Sequence, residues 1–124
     1  LQSTDKKIPI MQAISVEDMS AVEFAKEYED VSDYFILDTS TSLVQGVGAS
    51  GKVHDWNVSK AIVDSVKIPV ILAGGLSPEN VRDAIEKVKP WGVDSLTHTN
   101  KILDNGDFVK DITKVRKFFK NATG

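Results

Sequence analysis

The sequence contains no cysteine, which excludes a disulfide framework, a thiolate nucleophile and a cysteine-held metal. It has no apolar run approaching the roughly 20 residues that a membrane-spanning helix needs. The first seven residues, Leu1 to Lys7, are polar and charged where a secretory leader carries an apolar stretch. No basic block stands out either. Fifteen lysines and arginines face eighteen aspartates and glutamates, for a formal net charge of −3, so binding to nucleic acid has no electrostatic support. Low-complexity segments and linkers are missing as well. What is left is an ordinary globular composition, 124 residues of which 41% are hydrophobic and 27% charged. That is enough for one core and too little for two comfortable domains. The absence of cysteine fits a reducing compartment, and the cytoplasm is the expected location.

Four apolar runs alternate with four helical patterns. The first run is Ile8 to Ile14. After it, Ser15 with Asp18 three places on reads as a helix start, because a side-chain oxygen there can accept from free backbone N–H groups. Ala21, Phe24, Ala25 and Tyr28 then form one apolar stripe. The second run, Tyr34 to Leu37, ends in Asp38 and is followed by a polar, glycine-bearing segment from Thr39 to Trp56. Val58, Ala61, Ile62 and Ser65 repeat the helical spacing. The third run, Val70 to Ala73, ends in Gly74-Gly75-Leu76, and Ser77 followed by Pro78 reads as the cap and first turn of a helix. Its stripe is Val81, Ala84, Ile85 and Val88. The fourth unit is Gly92 to Leu96, and Asp107 is expected to start a last helix bearing Phe108, Ile112, Val115 and Phe119.

The order βαβαβαβα, with short and nearly continuous apolar strands, indicates a parallel sheet covered by helices. Four βα units admit a small open α/β sheet or one half of a closed (βα)8 barrel, and periodicity does not choose between them. In either case ligands gather at the carboxyl ends of the strands. The residues there are Asp38, the Gly48-Ala49-Ser50-Gly51-Lys52 loop, Gly74-Gly75, and Thr97-His98-Thr99-Asn100. Glycines let the backbone approach an anion, and a helix start adds partial positive charge. Gly74-Gly75 is therefore either a phosphate cradle or a tight turn. Asp38 is either a proton donor or acceptor, or a turn-capping side chain. A metal site built from His98, Asp38 and Asp94 has no supporting ligand spacing, so no metal is expected. Trp56 and Trp91 read as packing anchors.

Taken together the strings are more specific than any one of them. Asp33-Tyr34-Phe35-Ile36-Leu37-Asp38-Thr39, then Gly48 through Trp56, then Pro69 through Val81 with its Ala73-Gly74-Gly75-Leu76-Ser77-Pro78-Glu79-Asn80-Val81 core, then Gly92-Val93-Asp94, resemble the phosphoribosylanthranilate isomerase family in order and spacing. The resemblance spans about Ile8 to Phe119. It implies a single unit over residues 1–124, a (βα)4 half of a TIM barrel whose strands match the fifth to eighth of the family. It implies an Amadori rearrangement in tryptophan biosynthesis, an aldose-to-ketose isomerisation that needs no metal or cofactor. Asp38 then matches the general acid that opens the ribose ring. Gly48, Ser50, Gly51, Gly74, Gly75, Thr97 and His98 match the loops that hold the substrate phosphate.

The chain also departs from that pattern. The family's base is a cysteine on the first strand, and its second unit supplies an arginine; both lie outside the matched half, and the chain has no cysteine at all. Gly48-Ala49 stands where the family has paired glycines, and Leu96-Thr97-His98 where it has a serine-glycine turn. His98 in place of glycine is expected to restrict φ and crowd the phosphate. The expectation is thus an isomerase-like chain inactive by itself, which begins within a barrel and has its missing amino-terminal half elsewhere. The alternative is a non-catalytic half-barrel that binds a phosphorylated small molecule and closes as a homodimer, because two free sheet edges invite association.

Overall fold

The computed structural model describes residues 8–38 and 56–124. Strands β1 (Met11–Ser15), β2 (Tyr34–Asp38), β3 (Val70–Ala73) and β4 (Gly92–Val93) form one sheet in the order β1-β2-β3-β4. Every pairing is parallel, with Ser15 opposite Asp38 and Asp38 opposite Ala73. Helices α1 (Ser20–Tyr28), α2 (Trp56–Ser65), α3 (Val81–Val88) and α4 (Ile112–Thr123) complete the four units. The α/β half-barrel expected from the sequence is the fold that forms.

The core explains why the helices lie where they do. Ala21, Val22 and Ala25 of α1, Trp56, Val58 and Ile62 of α2, and Ala84 and Val88 of α3 share one cluster with Ile14, Phe35, Leu37, Val70 and Leu72. Along β2 the side chains alternate, with Phe35 and Leu37 buried and Tyr34, Ile36 and Asp38 not. Successive strand residues point to opposite faces, so the described helices cover one face. The inner face presents Met11, Ala13, Tyr34, Ile36 and Ile71, none of them buried.

Boundaries differ from the sequence expectation at the first and last helices and at the fourth strand. Ser15 is the last residue of β1, and its hydroxyl donates to Glu17 Oε2. The first helix begins five residues later, where Asp18 Oδ1 accepts from the Ser20 N–H and hydroxyl. Those bonds hold the Asp18 carboxyl below its ordinary range. The last helix begins at Ile112 and not at Asp107, capped by Asp111, whose carboxylate accepts from Thr113 N–H and Lys114 N–H. Phe108 belongs instead to an antiparallel hairpin of β5 (Asn100–Ile102) and β6 (Phe108–Lys110). Its turn is made by Asn105-Gly106, with Gly106 at φ 92° and Asn105 Oδ1 accepting from Asp107 N–H. The fourth strand is also shorter than expected, two residues rather than five, and among the described residues it pairs with β3 alone.

A candidate active site at the strand ends

Asp38 ends β2 because the apolar run Tyr34–Leu37 stops there, and its register fixes its position. Side chains level with each other on adjacent parallel strands share a face. Ser15, Asp38 and Ala73 therefore lie on the inner face, and the Asp38 carboxylate is exposed there. The backbone beneath it is fixed, since Val16 N–H donates to Asp38 O at 3.0 Å. Asp94 follows β4, anchored by its N–H on Leu72 O at 2.9 Å.

The next element is the Gly74-Gly75 loop. Both glycines have positive φ, 92° and 74°, which a side chain would make costly. Asn80 holds the loop in shape. Its Nδ2 donates to Gly75 O at 3.0 Å, while its Oδ1 accepts from Ser77 N–H at 2.8 Å and its own N–H reaches Ser77 Oγ at 3.3 Å. This reciprocal pair closes the turn ahead of α3; the helix expected to be capped by Ser77, with Pro78 in its first turn, starts instead at Val81, with Asn80 as its N-cap residue and no side-chain cap bond. Because C=O and N–H point opposite ways across a trans peptide, the bond to Asn80 turns the Leu76 N–H away from Asn80.

The third element is the loop after β4. Ser95 Oγ donates to Leu76 O at 3.0 Å, joining this loop to the glycine loop. Thr97–Thr99 then forms a single 3₁₀ turn, held by Thr99 Oγ1 on Leu96 O and by Lys110 Nζ on both Leu96 O and Thr99 Oγ1. Lys89 is the one non-glycine residue of positive φ among the described residues. His98 therefore sits in right-handed backbone, and the expected restriction on φ does not arise. A groove of about 940 Å³ beside this turn is lined by Pro78, Glu79, Thr97, His98, Lys101 and Lys114, among others. Asp38 does not line it; the groove is a feature of the rim.

Asp38, Gly74 and Gly75 are thus on adjacent strand ends, with Thr97 and His98 tied to them through Ser95. Gly48, Ser50 and Gly51, also expected in the phosphate site, lie outside the described residues. Asn80 and Ser95 were missed by the sequence reading. The Ser77–Asn80 spacing was the available signal for Asn80; nothing local marks Ser95, whose role depends on the neighbouring strand. Among the described residues no three histidine, aspartate or glutamate side chains group to hold a metal ion.

A parallel (βα)4 sheet with a carboxylate and a positive-φ glycine pair at the carboxyl ends of its strands has the architecture of half a (βα)8 barrel. Comparison with known proteins makes the class specific. The family model described as N-(5'phosphoribosyl)anthranilate (PRA) isomerase matches residues 1–121, and the chain belongs to this family. It is 43% identical over 122 residues to N-(5'-phosphoribosyl)anthranilate isomerase 2 of Methanosarcina mazei, covering 98% of this chain and 52% of that protein. The crystal structure of the Thermotoga maritima phosphoribosyl anthranilate isomerase superposes with a TM-score of 0.73 at 33% identity, covering 94% of this chain and 52% of that one. A phosphoribosyl anthranilate isomerase in complex with reduced 1-(o-carboxyphenylamino)-1-deoxyribulose 5-phosphate gives 0.68 at 29%, covering 94% and 50%. The chain spans about half the length of the relatives it matches.

Proposed function

We propose that this chain supplies the acid-bearing, phosphate-holding half of a phosphoribosylanthranilate isomerase acting in the cytoplasm. The observation that carries this reading is Asp38 on the inner face at the end of β2, level with Ala73 and next to the positive-φ glycine pair. In the proposed reaction Asp38 protonates the ribose ring oxygen, and the sugar opens to an imine. A proton then leaves the adjacent sugar carbon to a base. The phosphate end of the substrate lies against the Gly74-Gly75 loop and the turn at Thr97-His98, where backbone N–H groups and the His98 side chain meet it. A ligand with a 5-phosphate at one end and a carboxyphenyl group at the other, as in the solved relative, spans from that grip to the acid.

This half carries no cysteine, so the base comes from whatever closes the barrel, either the amino-terminal four units or a second chain. By itself the chain is expected to give no isomerase turnover. When the amino-terminal units of a family member are supplied, activity is expected, and Asp38→Asn should lower kcat by about 10²–10⁴-fold with little change in KM. Unchanged turnover of the Asn variant would remove Asp38 from the mechanism.

A further inference from the structure

We propose that the groove beside the Thr97–Thr99 turn is a ligand site of its own, which takes an organic anion with a flat apolar body, an aromatic carboxylate. Its walls are all supplied by residues 78–117 of this chain: Pro78 and Glu79 ahead of α3, the 3₁₀ turn, the β5–β6 hairpin and the first turns of α4. Neither Asp38 nor Gly74-Gly75 lines it. Its volume of about 940 Å³ lies in the range of small-molecule sites, which are concave and mostly apolar with a few placed polar groups.

One wall is apolar and left bare by the chain. Ile102 and Phe108 are partners in the antiparallel register of the hairpin, so their side chains share a face. Asn100 and Lys110 belong to the same face by alternation, and Lys110 Nζ donates to Leu96 O and Thr99 Oγ1, each at 2.7 Å. That face therefore looks toward the turn and into the groove. Even so, Leu96, Ile102 and Phe108 are 67%, 78% and 65% exposed. Three large apolar side chains around one hollow form a surface that an apolar body would take out of water.

The remaining wall is cationic. Lys114 Nζ donates to Asn100 O at 2.8 Å, and Lys110 is held by the two oxygens already named. These acceptors are neutral, so they fix the ammonium groups without cancelling their charge. An ammonium has three N–H donors, which leaves two on Lys114 and one on Lys110. Lys101 is exposed on the same hairpin. Among the described residues no carboxylate lies within ion-pair distance of these three lysines. The carboxylates of the lining are engaged elsewhere: Glu79 pairs with Lys117 at 3.5 Å, and Asp111 accepts from the Thr113 and Lys114 N–H groups. From Thr97 to Gly124 six lysines and arginines accompany three aspartates, in a chain whose net charge is −3. Charge thus selects an anion, and the bare apolar wall selects one with an apolar body.

Titration of the 124-residue chain with 2-naphthoate, followed by ¹H–¹⁵N correlation spectra, tests the proposal. A Kd of about 1 mM or tighter is expected, with shifts at Thr97–Ile102 and Phe108–Lys114 and none at Tyr34 and Ile36 on the inner face. 2-Naphthalenemethanol, which keeps the ring and lacks the charge, should bind about tenfold or more weakly. Lys101→Glu and Phe108→Ser, both at exposed side chains, should each raise the Kd on the order of tenfold, with circular dichroism unchanged. Inorganic phosphate at matched ionic strength should leave the Kd as it is. Absence of saturable binding, shifts confined to the inner face, equal affinity for the neutral alcohol, or variants that bind like the parent chain would each overturn the site. Displacement by phosphate would overturn it too, because the groove would then be the outer end of the phosphate grip.

Discussion

Phe35 and Leu37 on β2 are fully buried, whereas Tyr34 and Ile36 between them are only half-buried. All four are large apolar or aromatic residues of one five-residue strand, so the difference comes entirely from what stands opposite. On one face three helices exclude water; on the other, Tyr34 packs against Trp91 at 5.5 Å between ring centroids. Among the described residues, helices cover one face of the sheet and the other is half open. The outer face is therefore the part that folds the chain, while the inner face carries the exposed Asp38 at its rim.

This contrast can be sharpened by mutation. The largest effect is expected on the covered face. Leu72→Ala removes a fully buried side chain and should cost about 2–5 kcal/mol in urea denaturation. Ile36→Ala, one strand over on the inner face, should cost under about 1.5 kcal/mol in the isolated chain because part of that side chain already meets water. The same change should approach the covered-face cost once the barrel is closed. Equal penalties for both variants in the open chain would break the two-face account. A smaller effect, about 1 kcal/mol, is expected for Asp111→Ala, which removes the cap of α4 far from either face and should be the same in open and closed forms.

Much of this arrangement was legible in the sequence. The apolar runs at Tyr34–Leu37 and Val70–Ala73 became strands, the stripes of α2 and α3 became helices, and Asp38 was placed at a strand end because the run stops there. One-sided cover was not legible. A barrel interior is as apolar as a helix-covered face, so the runs read as continuous whether or not the neighbour is present. The hairpin was missed for a different reason. Asn105-Gly106 is a turn signal, but Phe108, Ile112, Val115 and Phe119 keep helical spacing across it, and that longer periodicity outweighed the two-residue clue. The first helix start failed because Ser15, a good cap by type, was already committed to pairing with β2. In the site, the acid and the glycines were visible as types, whereas Ser95 entered only through a bond to a different strand's loop.

Asn80 gives the glycine loop a property that neither glycine has alone. One amide group uses its oxygen to accept from the Ser77 N–H and its nitrogen to hold the Gly75 carbonyl. The shape of the glycine loop is therefore set by the turn that leads into α3. An aspartate at this position would keep the oxygen and lose the nitrogen. It would keep the bond to Ser77 and lose the one to Gly75, so that the loop would no longer be tied to the turn before α3.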